Sequence, residues 1–255
     1  MQRKYFDLVW LRGIGALKAD AQNSYLGMLW WVLEPLLLTG LFYLAFSSGI
    51  KGGSRGTEFV FFLLSGMLPF KWTASCLTAS ANSLIGNAGI MGQVYLPKWI
   101  FPTVINLSMA IRFALILPII MLAMAYGGYE PGIHWTTLGY VVLCQLLFNL
   151  GISYLFAASV PLLPDLSHIV PLVVTALMFT SGIFFDINDR PADIQEILRL
   201  NPFVEILDNY RAVFIRGETI SPLNMVYAWS VALGSFAAGL GLLTLFNRYY
   251  PRALT

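Results

Sequence analysis

Six long apolar runs constrain this chain more than any other feature of its sequence. They occupy about residues 26–48, 59–84, 99–125, 134–160, 167–186 and 222–246. Because a helix needs about 20 mainly apolar residues to cross the bilayer core, each run predicts one membrane-spanning helix. Only 11% of the residues are charged, against roughly 25% in a soluble domain. We therefore expect an all-α, polytopic membrane protein in which residues 1–255 form a single transmembrane domain.

Positive charge gives the expected orientation. With six spans, both termini lie on the same side of the membrane. When the long segment between the last two spans is left out, the side of the termini has seven basic residues and the other side has two. The positive-inside rule then favours cytoplasmic termini, although the four arginines of the omitted segment would remove the difference.

The residues ahead of the first run, 1–25, mix basic, aliphatic and aromatic side chains. This mixture is typical of an amphipathic helix that lies in the cytoplasmic interface, and an ordinary exposed helix is the alternative. The sequence QNSYLGMLWWVLEP, residues 22–35, then leads into apolar sequence through a tyrosine and two tryptophans. Such a cluster is typical of the point where a chain enters lipid.

The segment 186–218 is the least membrane-like part of the second half, with seven of the thirteen acidic residues. It also has apolar residues at helical spacing on either side of Asn201 and Pro202. The pattern predicts two short helices in a hairpin that dips back toward the membrane on the outer side. A solvated loop is the alternative interpretation.

Three ionisable residues fall inside the predicted spans: Glu34, Lys71 and Arg112. A charge at the bilayer centre costs about 2.5–3.5 kcal/mol on insertion scales, so each must face protein or water. At about 1.5 Å per residue, Lys71 and Arg112 both lie near mid-membrane and Glu34 lies about 8 Å nearer the cytoplasm. We expect Glu34 to pair with one of the two cations, and depth does not decide which. A proton relay is the competing hypothesis, but no second carboxylate lies in the interior of the spans.

The sequence has no pattern that indicates catalysis, a bound cofactor or a metal. No Walker A motif for ATP occurs, and no nucleophile, base and metal ligands are grouped as a membrane hydrolase would need. The net charge of +2 is scattered and does not indicate nucleic-acid binding. Cys76 and Cys144 lie in apolar runs, where free buried thiols are expected. An enzyme is therefore not expected.

Four stretches of the sequence resemble a known family in their order and spacing. They are SYLGMLWWVLEPLL at the first span, SLIGNAGIMGQVYLPKWIFP from Ser83 to Pro102, PDLSHIVPLV from Pro164, and FTSGIFFDIN continuing to LNPFVEILDNYRAVFIRG. Together they resemble the permease subunits of type-2 ABC exporters, particularly those that move O-antigen, capsule or teichoic-acid polymers. The resemblance covers nearly the whole chain.

The resemblance implies a partner arrangement that composition alone does not give. It implies a homodimer of this chain in the bacterial inner membrane, bound to two copies of a cytoplasmic ATPase. ATP and Mg²⁺ would be held by that partner, and no cofactor is expected in this chain. The substrate would be a lipid-linked cell-surface polysaccharide, and the hairpin at 186–218 resembles the gate helices of these exporters.

The connection between the second and third spans, residues 85–98, would face the cytoplasm in this topology. It resembles the coupling helix that sits in a cleft of the ATPase. Three glycines allow close backbone approach, and apolar side chains follow them. The residues expected to contact the ATPase are Gln93, Val94, Tyr95, Leu96, Pro97 and Lys98.

A sugar polymer needs a wide passage with weak, repeated contacts. Aromatic side chains of the first and fifth spans are candidates for its lining: Trp30, Trp31, Tyr43, Phe179, Phe184 and Phe185. The chain departs from more basic relatives because few cations precede the first span and no arginine adjoins Asp165. This departure weakens the case for recognition of an anionic lipid carrier.

Other functions remain open from sequence. The same fold could export small hydrophobic drugs or lipids, which would need a narrower and less aromatic passage. An ion-coupled secondary carrier would show internal repeats and broken helices, and comparison of the first three runs with the last three shows no repeat. A membrane assembly factor that transports nothing is the fourth alternative.

Overall fold

The computed structural model describes residues 2–22, 25–47, 56–247 and 249–250. This part of the chain is built from α-helices joined by turns and short 3-10 helices, and it contains no strand. Its helices are α1 Gln2–Gln22, α2 Leu29–Ser47, α3 Thr57–Ala81, α4 Ala88–Gln93, α5 Ile100–Tyr126, α6 Leu138–Ser159, α7 Leu166–Thr180, α8 Ala192–Arg199, α9 Pro202–Phe214 and α10 Val226–Leu245. The all-α prediction is confirmed.

Four of the described segments are long and apolar enough to cross a membrane. They are Thr57–Ala81, Ile100–Tyr126, Ile133–Ser159 and Pro222–Leu245. Shorter apolar helices, Leu29–Ala45 and Leu166–Thr180, occupy the places of the first and fifth predicted spans. The described residues thus have a helix at each of the six predicted runs, four of them long enough to span a membrane. The six-span topology stays a prediction.

The helix α7 is shorter than the predicted run at 167–186. It ends at Thr180 because the chain turns at Gly182, whose φ of +72° is a left-handed conformation that suits glycine. Beyond the turn, Ile183 and Phe184 pack in the core instead of continuing the helix. Apolar composition alone did not mark this boundary.

The core lies around α3, which packs against α2, α5, α6, α7 and α9. The longest helix contact is between α6 and α10, and it depends on glycine. A Cβ added to Gly151 would lie 2.3 Å from Ser235 Oγ, and one added to Gly239 would lie 2.6 Å from Tyr154 Cβ. Small residues let the two backbones approach closely, as is common between membrane helices.

The segment 186–218 contains two short helices, α8 and α9, which separate at Asn201. The Asn201 side chain accepts a hydrogen bond from the Phe203 amide at 3.0 Å, and Pro202 begins α9. The apolar stripe of α9 is buried against α3, α6 and α10. In contrast, Ile194 and Ile197 of α8 are exposed. Only the second helix is therefore built into the core of this chain.

The N-terminal helix α1 runs alongside the first half of α5. Near its start, the Phe6 ring lies 6.5 Å from the Trp99 ring, and near its end Asp20 pairs with Arg112. These contacts are separated by about 21 Å along α1 and about 20 Å along α5. The two helices must therefore be close to parallel. An interfacial position for α1 stays a prediction, and its packing on α5 is a finding that composition did not give.

Candidate functional site

The charged residues of the predicted spans meet in a small cleft between α2, α3 and α5. Lys71 Nζ lies 2.6 Å from a carboxylate oxygen of Glu34. Arg112 pairs instead with Asp20 at the end of α1. In the structure, Glu34 therefore pairs with Lys71. Arg112 pairs with Asp20, an acidic residue that lies before the first predicted span.

Trp31 joins the second of these pairs. Its indole Nε1 donates to Asp20 at 2.9 Å, and the Arg112 guanidinium lies over its ring, 4.7 Å from the ring centroid. The ring is buried in the core. Asp20, Trp31 and Arg112 therefore tie the end of α1 to the first turn of α2 and the middle of α5.

The cleft itself is too small for a substrate. Its volume is about 40 Å³, whereas ligand pockets occupy about 300–1,000 Å³. Its lining includes Glu34, Lys71, Trp31 and Arg112. Glu34 pairs with Lys71, and Arg112 pairs with Asp20. The arrangement suits structural ion pairs between helices better than a relay that must exchange protons.

The six aromatic residues proposed for the passage fall into different environments. Trp30 and Phe179 are exposed on the single chain, and Tyr43 and Phe185 are half-buried. Trp31 and Phe184 are buried. The structure does not bring the six together as one surface of a single chain.

Contacts between aromatic rings link the second half of α2 to the start of α3 and to the end of α7 with the segment that follows it. The Phe184 ring lies 4.7 Å from Phe42 and 5.6 Å from Phe179, and the Tyr43 ring lies 6.4 Å from Phe59. Phe42 was not among the predicted residues, although it belongs to the same aromatic cluster.

The segment 85–98 presents part of its predicted contact surface to solvent. Gln93 is exposed, and Val94 and Tyr95 are 54% and 69% exposed. Leu96 and Pro97 are half-buried. An exposed apolar and aromatic pair beside a short helix suits contact with a partner.

Lys98 differs from the rest of this segment because its side chain is buried. Its Nζ donates to the Leu96 carbonyl at 3.2 Å and lies 5.8 Å from the centre of the Tyr95 ring. Burial lowers the pKa of this lysine. Its position favours a role in shaping the segment over direct contact with an ATPase.

A second and larger cleft, here called the hairpin cleft, lies beside α9 and the start of α10. Its volume is about 500 Å³. Arg216 is held between Asp208, at 3.0 Å, and Glu218, at 3.3 Å. Across the cleft, Arg199 Nη2 donates to Asn188 Oδ1 at 3.0 Å. Polar side chains held by one another thus surround an open volume.

Arg211 also lines the hairpin cleft, and its side chain is only 6% exposed. The guanidinium stacks over the Phe62 ring at 3.7 Å and donates to the Ile183 carbonyl at 3.2 Å. Its Nε has no hydrogen-bond partner within the described ranges. Burial lowers the pKa of Arg211 to about 10, so the group stays charged at neutral pH.

Sequence reasoning missed a buried polar network around α6. Tyr210 Oη donates to Gln145 Oε1 at 2.8 Å, and Gln145 Nε2 donates to Thr73 Oγ1 at 2.9 Å. Thr73 in turn donates to Asn149 at 2.7 Å. The signal was present in the sequence, because Gln145, Asn149 and Ser153 recur every four residues and so share one face of a helix.

A family model described as ABC-2 type transporter matches residues 14–215. The chain belongs to the ABC-2 type transporter family. The family expected from the four sequence stretches is therefore confirmed. As a member, this ABC-2 chain is a multi-pass membrane protein and a transport permease, which agrees with the lack of a catalytic pattern in its sequence.

Named relatives match the ABC-2 chain over most of its length. The O-antigen export system permease protein RfbA of Myxococcus xanthus is 31% identical over 222 residues, which cover 85% of this chain and 84% of the relative. A protein of the same name from Klebsiella pneumoniae is 26% identical and covers 95% and 92%. The polysialic acid transport protein KpsM of Escherichia coli is 25% identical and covers 85% and 84%.

Proposed function

We propose that this chain is the transmembrane subunit of an exporter that moves a lipid-linked, O-antigen-like polysaccharide across the bacterial inner membrane. The observation that carries the proposal is its similarity, over 85% and 95% of its length, to permeases named for O-antigen export. Similarity to a polysialic acid transport protein supports the same broad substrate class.

Energy for transport comes, in this proposal, from ATP and Mg²⁺ bound by a separate cytoplasmic ATPase, two copies of which serve a homodimer of this chain. The segment 85–98 is the proposed contact. Its glycines Gly86, Gly89 and Gly92 each have open space where a Cβ would lie, so another surface can approach the backbone. Val94 and Tyr95 supply the exposed apolar contact beside them.

The membrane topology in this proposal has six spans, with cytoplasmic termini and with the start of α1 at the cytoplasmic side. The shorter helices α2 and α7 complete the set of spans. Both leave much of their surface exposed on the single chain, as Leu37 and Leu172 show. A second copy of the chain, or the polymer itself, would cover this surface.

The polymer path is placed between two copies of the chain, along α2 and α7. Of the aromatic candidates, Trp30 and Phe179 are the most exposed and so suit direct contact with sugar rings. Tyr43 and Phe185 suit a partial role, whereas Trp31 and Phe184 would act by supporting the wall from within. Weak contacts spread along such a path would let a polymer slide.

Deletion of the gene and complementation with a plasmid copy test the proposed function. We expect the deletion strain to lose surface polysaccharide and to accumulate lipid-linked polymer in the cytoplasm. Complementation should reverse both effects. Normal surface polymer in the deletion strain, or loss without cytoplasmic accumulation, would contradict export as the function. Increased sensitivity to hydrophobic drugs with normal surface polymer would instead indicate a drug exporter.

A further inference from the structure

We propose that the hairpin cleft is a binding site for an uncharged glycan segment. The inference rests on the proposed function, and it adds a location and a charge class for the substrate. The cleft volume of about 500 Å³ falls in the range of about 300–1,000 Å³ found for ligand pockets. It is therefore large enough for a ligand, unlike the small ion-pair cleft.

Both hydrogen-bond donors and acceptors line the hairpin cleft. Its basic groups are Arg199, Arg211 and Arg216, and its acidic groups are Asp186, Glu205, Asp208 and Glu218. Guanidinium groups only donate hydrogen bonds, and carboxylates only accept them. A sugar hydroxyl both donates and accepts, so neighbouring hydroxyls can satisfy both kinds of group at once.

The polar groups are held in place before any ligand arrives. Asp186 Oδ1 accepts from the Asn188 backbone and side-chain amides at 2.9 and 3.0 Å, and Arg199 donates to the same asparagine. On the other wall, Asp208 and Glu218 fix Arg216. Side chains that are already ordered lose less conformational entropy when they bind a ligand.

The hairpin cleft differs from a solvated surface because buried polar side chains form part of its lining. Arg211 and Asn209 line it and are 6% and 5% exposed. The Arg211 Nε is a buried donor without a partner among the residues described by the structure. This Nε is closed to solvent, so the groups that remain available to a ligand are the more exposed Arg199, Arg216 and the carboxylates of the cleft.

Charge decides which glycans fit. Four carboxylates face three guanidinium groups in the cleft, a formal charge of −1. The whole segment 186–218 has seven acids and four arginines, a formal charge of −3. An acidic sugar or a phosphate would meet like charge and would compete with the carboxylates that already hold Arg216. The cleft thus favours uncharged sugars.

Saturation-transfer NMR on the purified full chain in lipid nanodiscs tests the proposal. The probes are maltoheptaose and a mannose oligosaccharide, both uncharged, and a sialic acid hexamer of similar length. We expect saturation transfer to the uncharged probes and at least fivefold less to the sialic acid hexamer. Absence of transfer to both uncharged probes, or equal transfer to the acidic probe, would overturn the proposal.

Variants then locate the binding site. The double variant Asp208→Asn with Glu218→Gln changes the cleft charge by two units and releases Arg216. We expect it to reduce transfer to the uncharged probes at least fivefold and to raise the relative signal of the sialic acid hexamer. The control, Asp193→Asn on exposed α8, makes the same kind of change outside the cleft. A thermal melting curve within a few degrees of wild type shows that the double variant is folded.

Complementation of the deletion strain separates this proposal from the proposed function. If the wild-type chain restores surface polysaccharide but undiminished binding persists in the double variant, the hairpin cleft is not the site and the exporter assignment stands. If the wild-type chain does not restore surface polysaccharide, the exporter assignment itself fails.

Discussion

At the level of single residues, the contact between Glu34 and Lys71 explains how two charges can occupy predicted spans. Their side chains are 49% and 33% exposed on the single chain and lie 2.6 Å apart. An exposed pair in water contributes only about 0–1 kcal/mol. In lipid, however, an unpaired charge costs about 2.5–3.5 kcal/mol. Leaving one charge unpaired therefore costs more free energy than the attraction within the pair contributes.

We expect Glu34→Gln and Lys71→Gln each to lower the amount of assembled exporter several-fold, because each leaves one charge without its partner. The double variant should recover part of that loss, since it removes both charges. The measurement is the yield of chain that co-purifies with the proposed partner ATPase. Glu58→Gln, at the exposed start of α3, is the matched control. Additive losses in the double variant would show that the two residues act independently.

Asp20 gives a second prediction about a single residue. It is the acid that pairs with Arg112 and the acceptor for the Trp31 indole. Asp20→Asn keeps an acceptor for Trp31 but leaves Arg112 uncompensated. We expect the end of α1 to loosen, so that trypsin cleaves after the exposed Lys18 several-fold faster. Asp7→Asn, also exposed on α1, should leave the cleavage rate unchanged.

At the level of helices, the sequence predicts order well and boundaries less well. Apolar runs located α3, α5, α6 and α10 because a spanning helix needs length and low charge, and both are visible in sequence. The end of α7 depends on the left-handed turn at Gly182. The sequence does not show which of its many glycines adopts a positive φ. The exposed stripe of α8 was also unpredictable, since helical spacing does not say whether a partner is present.

The choice between Lys71 and Arg112 could not be made from sequence for a related reason. Depth along the spans placed both cations at the same level. The choice depends on the packing of α1 alongside α5, which places Asp20 next to Arg112. Packing between helices far apart in sequence is a tertiary property, and composition contains no direct signal for it.

The segment 85–98 supports a prediction at the level of the helix α4. Met91 anchors α4 in a small core, whereas Val94 and Tyr95 are exposed. Replacing both exposed residues with aspartate should abolish co-purification of the ATPase without changing the melting temperature of the chain. Asn247 donates to the Tyr95 hydroxyl at 2.8 Å, so Tyr95→Phe with Val94 intact serves as a control for that bond. Full co-purification of the double aspartate variant would exclude this segment as the contact.

At the level of the whole molecule, one face of α2 indicates where the second copy of the proposed homodimer would lie. At about 100° per residue, Trp30, Glu34, Leu37 and Leu41 share one side of the helix. Leu37 and Leu41 are 61% and 60% exposed, and Glu34 is half-exposed. Although Glu34 pairs with Lys71, half of its side chain stays exposed. Charged groups in membrane spans face protein or water, so this side of α2 should meet protein or a water-filled path. The exposed side of α10 near Leu233 has no such charge within the described residues.

We therefore expect Leu41→Cys to form a disulfide between two copies of the chain when membranes are treated with an oxidant. Leu233→Cys should stay monomeric under the same treatment, because in the proposed topology its exposed side would face lipid. The native thiols give little background, since Cys76 and Cys144 are fully buried. A cross-link yield at Leu41 no greater than at Leu233 would contradict a dimer formed along α2. A dimer joined there would place Glu34 and Trp30 of both copies around the same path, because the two-fold axis of a symmetric dimer repeats each side of the interface.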